Sequence, residues 1–110
     1  IAVVDSGREL VAFDRMDGAL LASAEISQAK AYTARSLNSA TKDVGGWAQP
    51  GGPLYGLETA HMAAGRTLVT FGGGVPITVG GEVVGAVGVA GGSPDQDHEV
   101  ASAGADALAG

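Results

Sequence analysis

His61 and Met62 stand side by side in the run ETAHMAAGR and carry two neutral donors that could ligate an iron centre. The competing reading is a hydrogen-bonded surface histidine on a short helix, with Met62 filling the core. Lys30 lies four residues after Ile26, close to an apolar helical stripe. An ammonium there could neutralise a bound carboxylate. It could equally snorkel, or pair with Asp5, Asp14 or Asp17. Arg15 and Asp17, in the run RMDG, end a strand. The guanidinium could hold a carboxylate through its paired N–H groups, or the two residues could fix the turn as an ion pair. Gly72, Gly73 and Gly74 precede Val75-Pro76 and could turn backbone N–H groups toward an anion. Without a GK[ST] ending and a following helix, this is not a P-loop, and a tight bend with close backbone packing explains it as well. Asp95, Asp97, His98 and Glu99 crowd the start of the last helix. Acids there complement the helix dipole, and oxygen ligands without a loop cage hold a cation weakly.

Several classes of chemistry are missing. No G-x-S-x-G elbow is present, and no dinucleotide fingerprint follows a strand. The chain has no cysteine, which excludes disulfides, thiolate catalysis and Cys-ligated metal sites. Its net charge is −6, with six Lys and Arg and no basic run. Nucleic acid and anionic membrane surfaces are therefore disfavoured as partners. No apolar run reaches transmembrane length. No signal peptide is legible, which points to the cytoplasm. Ile1 is not a natural start, and the chain opens inside a strand, as a processed or trimmed chain would.

The elements that must position these residues are read from periodicity. A length of 110 residues suits one domain, 1–110. The apolar content is 45%, much of it Ala and Val, so the core is built from small side chains. So short a chain buries a modest share of its surface, which makes self-association expected. Ile1–Asp5 and Glu9–Met16 read as two strands of a hairpin around Ser6-Gly7-Arg8. Ser23–Thr41 reads as a helix whose buried stripe is Ile26, Ala29, Thr33, Leu37 and Ala40, with Ser23 as N-cap. Gly45–Pro53 reads as a loop, followed by a short helix from Leu54 to about Ala64. Strands are expected at Thr67–Phe71, Val75–Val79 and Glu82–Ala90, with Gly80-Gly81 as the turn between the last two. Pro76 suggests an edge strand or a bulge. Ser93, Pro94 and Gln96 form the signature of a capped helix that buries Val100, Ala101, Ala105 and Leu108. The sum is an α+β fold with a mainly antiparallel five-stranded sheet and helices packed on it.

Four stretches together resemble the GlcG/HbpS family, also called haem-degrading or DUF336-like, which includes the C-terminal domain of PduO-type proteins. They are IAVVDSGRELVAFDRMDGA (1–19), SQAKAYTA (27–34), FGGGVPITVGGEVVGAVGVAGG (71–92) and DQDHEVA (95–101). The resemblance implies a profilin-like fold and a homo-oligomer. Members usually carry a helix before the first strand, which this chain lacks. It also implies a small-molecule ligand, with haem or another tetrapyrrole as the cofactor. Read from the residues themselves, the pocket for such a ligand lies near Lys30, His61 and Gly72 to Pro76, with Arg15 and Asp17 as further ligand contacts and His61 as the candidate ligand to the haem iron. The alternative is a small metabolic enzyme for an organic acid or carbonyl compound, working without a bound organic cofactor through Lys30, Arg15 or His61. A purely structural oligomer subunit is the third reading.

Overall fold

Alternation along the strands decides which helix covers which face of the sheet. The computed structural model describes residues 1–109. It contains four strands, β1 (Ala2–Asp5), β2 (Leu10–Phe13), β3 (Gly74–Val79) and β4 (Glu82–Gly88). All neighbours pair antiparallel, in the order β2-β1-β4-β3. Val4 and Ala86 face one way and meet Ala31 and Ala34 of α1 (Ser23–Leu37). Val3, Val75, Ile77 and Val87 face the other way and meet Ala101 and Ala105 of α4 (Pro94–Leu108). Successive side chains of a strand point to opposite faces, so the two long helices sandwich the sheet. Two short helices, α2 (Thr41–Trp47) and α3 (Leu57–His61), lie between α1 and β3, with a 3-10 turn at Met62–Ala64.

Local chemistry explains the ends of the elements. Ser93 Oγ accepts from the Gln96 backbone N–H at 3.2 Å, and Gln96 Oε1 accepts from the Ser93 N–H at 3.0 Å. With Pro94 in the first turn, this is the capping box the sequence announces. Gly80 and Gly81 both hold positive φ, 58° and 80°, as a hairpin turn matched to strand twist demands. Asn38 turns left-handed at φ 48° and ends α1 four residues before the expected Thr41.

The fifth strand does not form. Thr67–Phe71 is apolar and Leu68 and Val69 are buried, yet the segment joins no ladder. Instead the Val69 N–H donates to Thr33 Oγ1 of α1 at 2.9 Å. A short apolar run reports burial, and burial alone does not specify a strand partner. The expected Gly45–Pro53 loop is partly helical, because α2 runs through Gly45 and Gly46 to Trp47. A side chain at Gly45 would overlap the Thr70 carbonyl oxygen, so that glycine serves close packing.

The buried face of α1 is also different from the predicted stripe. Ser23, Ser27, Lys30, Ala31, Thr33 and Ala34 are buried, while Ile26, Ala29 and Leu37 are half-buried. The reason is the sheet's own glycines. A Cβ on Gly88 would overlap the Ser27 carbonyl oxygen, and one on Gly74 would overlap that of Lys30. The α1 backbone lies directly on the sheet, which leaves room there only for small side chains. Ser23 is not the N-cap: Ala22 holds that place, and Ser23 Oγ donates to the Leu20 carbonyl at 2.6 Å. On α4, Val100 and Leu108 are exposed, and Asp97 is buried with Ala101 and Ala105. β2 is an edge strand whose Leu10, Val11 and Phe13 are all exposed.

Candidate functional site

The helices α1 and α4 lie on opposite faces and join where β4 ends. Lys30 reaches across from α1. Its Nζ donates to the Val89 carbonyl at 2.8 Å and to Asp97 Oδ2 of α4 at 3.1 Å. The two side chains are 1% and 5% exposed, so this is a buried ion pair. Asp97 Oδ1 accepts the Gly92 N–H at 2.9 Å, and the Phe71 ring centroid lies 5.1 Å from Nζ. A buried ammonium and carboxylate are tolerable only when paired and hydrogen-bonded, and both are. The partner of Lys30 is thus Asp97, and not Asp5, Asp14 or Asp17.

The triple glycine serves this pair. Gly72, Gly73 and Gly74 are buried and line none of the cavities described below. Gly73 has φ 131°, and a Cβ there would collide with the Lys30 side chain and the Val89 carbonyl. The Gly74 N–H donates to Thr41 Oγ1 at 2.8 Å. The backbones of Gly73 and Gly74 pack around Lys30, and the Gly74 N–H is taken by Thr41. Pro76 pairs with Ala86 in β3, the other edge strand.

A cavity of about 430 Å³ opens at the same end of the sheet. Its apolar walls include Phe13, Met16, Leu20, Val89 and Val100, and Arg15 and Asp17 also line it. Asp97 belongs to its wall, so the Lys30–Asp97 pair closes the cavity against the core. A smaller cavity of about 210 Å³ shares Leu20, Ser23 and Asp97 with it and reaches Lys30 and Phe71. The first turns of α1 and α4 both border the larger space, which adds the positive ends of two helix dipoles. Arg15 is exposed, and the ion pairs among the described residues are Lys30–Asp97 and Lys42–Asp95. Its guanidinium is therefore not spent on Asp17. Asp95, Asp97, His98 and Glu99 do not gather either, since Asp97 turns to Lys30 and Asp95 to Lys42.

His61 stands apart from this cavity. It is half-buried at the end of α3, with Nε2 2.8 Å from the hydroxyl of Tyr32. It lines none of the three cavities, and neighbouring Met62 is exposed. The residues grouped by the sequence thus divide into three places. Lys30 and the glycines form a packed bolt, Arg15 and Asp17 sit at a cavity, and His61 sits on Tyr32. Sequence reasoning missed Asp97 as the lysine's partner, along with Leu20, Val89 and Val100 as cavity walls. A lone lysine inside an Ala-rich helix was the available signal that some buried carboxylate must answer it.

Comparison with known proteins adds the following. A family model described as haem degrading protein HbpS-like matches residues 1–106. An uncharacterized 15.0 kDa protein from the dhaT-dhaS intergenic region of Citrobacter freundii is 42% identical over 105 residues, which are 96% of this chain and 72% of that protein. The corrinoid adenosyltransferase PduO of Salmonella typhimurium is 41% identical over 102 residues, 92% of this chain but 29% of PduO. The crystal structure of a PduOC–haem complex superposes with a TM-score of 0.88 at 36% identity, covering 97% of this chain and 75% of that one.

Proposed function

Since this chain belongs to the HbpS-like family, we propose that it binds haem or a related tetrapyrrole in the cavity bordered by Arg15, Met16 and Val89, as a homo-oligomer. The observation that carries this reading is an apolar-walled space with one guanidinium at its rim that pairs with no carboxylate among the described residues. A tetrapyrrole is a flat apolar body with carboxylate arms. Apolar walls suit the body, and a forked guanidinium suits an arm. A volume of about 430 Å³ falls within the roughly 300–1,000 Å³ of small-molecule sites. PduOC, a relative of this chain, is solved as a haem complex.

Met16 is the cavity residue able to hold an iron, through its thioether. His61 would have to leave Tyr32 to do so. Bound haem would supply redox chemistry. Phe13, Leu20 and Val89 would cover its apolar body, and Arg15 would hold a carboxylate arm. No helix is long and apolar enough to cross a membrane among the described residues.

Haemin titration followed at the Soret band tests the reading. Saturable binding is expected, with Arg15→Gln weakening it roughly tenfold or more, since a hydrogen bond to a charged group contributes about 1.5–3 kcal/mol. Met16→Leu should move the Soret maximum and His61→Ala should not. An unsaturable response, or one indifferent to Arg15→Gln, sinks the proposal. The oligomer is supported by Leu10, Val11 and Phe13, exposed at 47%, 60% and 41% on an edge strand. Sedimentation at micromolar concentration should show a species larger than the 10.7 kDa monomer; a monomer throughout would contradict it.

A further inference from the structure

Tyr32 is the meeting point of three ionisable side chains, Arg8 from the first hairpin and His61 and Arg66 from the ETAHMAAGR run. It is 3% exposed, in the second half of α1. The Arg66 guanidinium carbon lies 3.8 Å from its ring centroid and that of Arg8 lies 4.9 Å away. Arg8 Nη1 donates to Tyr32 Oη at 3.2 Å and to Ser36 Oγ at 3.3 Å. Tyr32 Oη also shares a hydrogen bond with His61 Nε2 at 2.8 Å, whose direction follows the imidazole tautomer. Stacking of a guanidinium on an aromatic ring is common, and by itself it would imply packing only.

Three further observations go beyond packing. Neither Arg8 nor Arg66 has a carboxylate within ion-pair distance among the described residues, where both ion pairs take lysines. This holds in a chain with twelve acidic residues against six Lys and Arg. Arg8 also sits at φ 69°, a left-handed conformation that glycine adopts without strain and arginine does not. A residue kept in a strained place is evidence for a use of its side chain. Finally, Arg66 borders a groove of about 370 Å³ that Ile26, Ala29 and Val69 line together with Gln28 and Thr67, with Arg8 outside it. Glu25 also borders the groove, but about two helical turns from Tyr32 along α1.

We propose that Arg8 and Arg66, gathered on Tyr32, form a receptor for a small organic monocarboxylate, separate from the cavity at Arg15. The carboxylate takes the forked guanidiniums, and the apolar body lies along Ile26, Ala29 and Val69. Guanidinium forks match the two oxygens of a carboxylate or of a phosphate. The net charge of −6 repels a multiply charged anion more strongly, which favours the carboxylate. The assignment does not rest on the haem reading.

The test is thermal unfolding of the full chain with acetate, hexanoate, benzoate or inorganic phosphate, against sodium chloride at matched ionic strength. Hexanoate or benzoate should raise the midpoint saturably and more than acetate. Arg8→Gly should abolish this response while leaving the ligand-free midpoint equal or higher, because glycine relieves the strained turn. Arg66→Gln should weaken the response at least tenfold in apparent affinity, and Arg15→Gln should leave it intact. The proposal is overturned if no carboxylate gives a saturable shift. It is overturned equally if phosphate or chloride does as well, if Arg8→Gly keeps the response, or if Arg15→Gln loses it.

Discussion

Lys30→Met should cost about 3–5 kcal/mol of stability, because it leaves the Asp97 carboxylate buried without its counter-charge. Methionine nearly matches lysine in length, so the loss reads the charge and not a cavity. The Gly92 N–H still reaches Asp97 Oδ1, but one neutral donor does not replace an ammonium. Asp97→Leu should be damaging for the converse reason, with an unanswered ammonium left against the Val89 carbonyl. The double variant Lys30→Met, Asp97→Leu removes both charges and should recover most of the loss. Urea unfolding of the four proteins closes the cycle, and a coupling energy below about 1 kcal/mol would show that solvent screens the pair. Against the roughly 5–15 kcal/mol that holds a domain together, the single variants approach unfolding at physiological temperature.

The second large effect is expected at Gly88. An alanine there drives its Cβ into the Ser27 carbonyl oxygen and the Ala31 nitrogen, both backbone atoms of α1. Neither can rotate away as a side chain would. The helix must lift from the sheet, loosening the contact of Ala31 and Ala34 with Val4 and Ala86. Overpacking of this kind costs about 1–3 kcal/mol, and more where backbone blocks relief. Gly104 in α4 is the control within the same protein. A Cβ there meets Val87 methyl carbons at 3.7 and 3.9 Å, which is ordinary contact. Gly104→Ala should gain up to about 1 kcal/mol from helix propensity. Unfolding midpoints that move in the same direction for both alanines would refute the close-approach account.

What was legible in the sequence was chiefly local. The capping box at Ser93 to Gln96, the Gly80-Gly81 turn and the β3–β4 hairpin each lie within a few residues and carry their own signature. Arg15 and Asp17 could be placed beside one another at the end of β2 for the same reason. The rest depended on which segments meet. Thr67–Phe71 has strand composition, but its partner proved to be a threonine hydroxyl on a helix. Lys30 pointed to a buried acid, and several aspartates offered themselves equally. Asp97 looked already explained by the helix dipole, so nothing local singled it out. Tyr32 carries no local signal among its alanines, because its neighbours Arg8, His61 and Arg66 come from two other segments. The sheet's glycines shifted the α1 stripe, keeping Thr33 buried but bringing Ser27, Ala31 and Ala34 onto the sheet in place of Ile26 and Leu37.

The bond between Lys30 and Asp97 spans 67 positions of sequence. On a ribosome the cation is therefore made long before the anion. Until α4 emerges, any attempt to seat α1 on the sheet would bury a naked ammonium, at a cost of several kcal/mol. Non-local contacts also delay closure through the entropy of the intervening loop. The lysine thus acts as a check on order: the sandwich can shut only once α4 has been delivered.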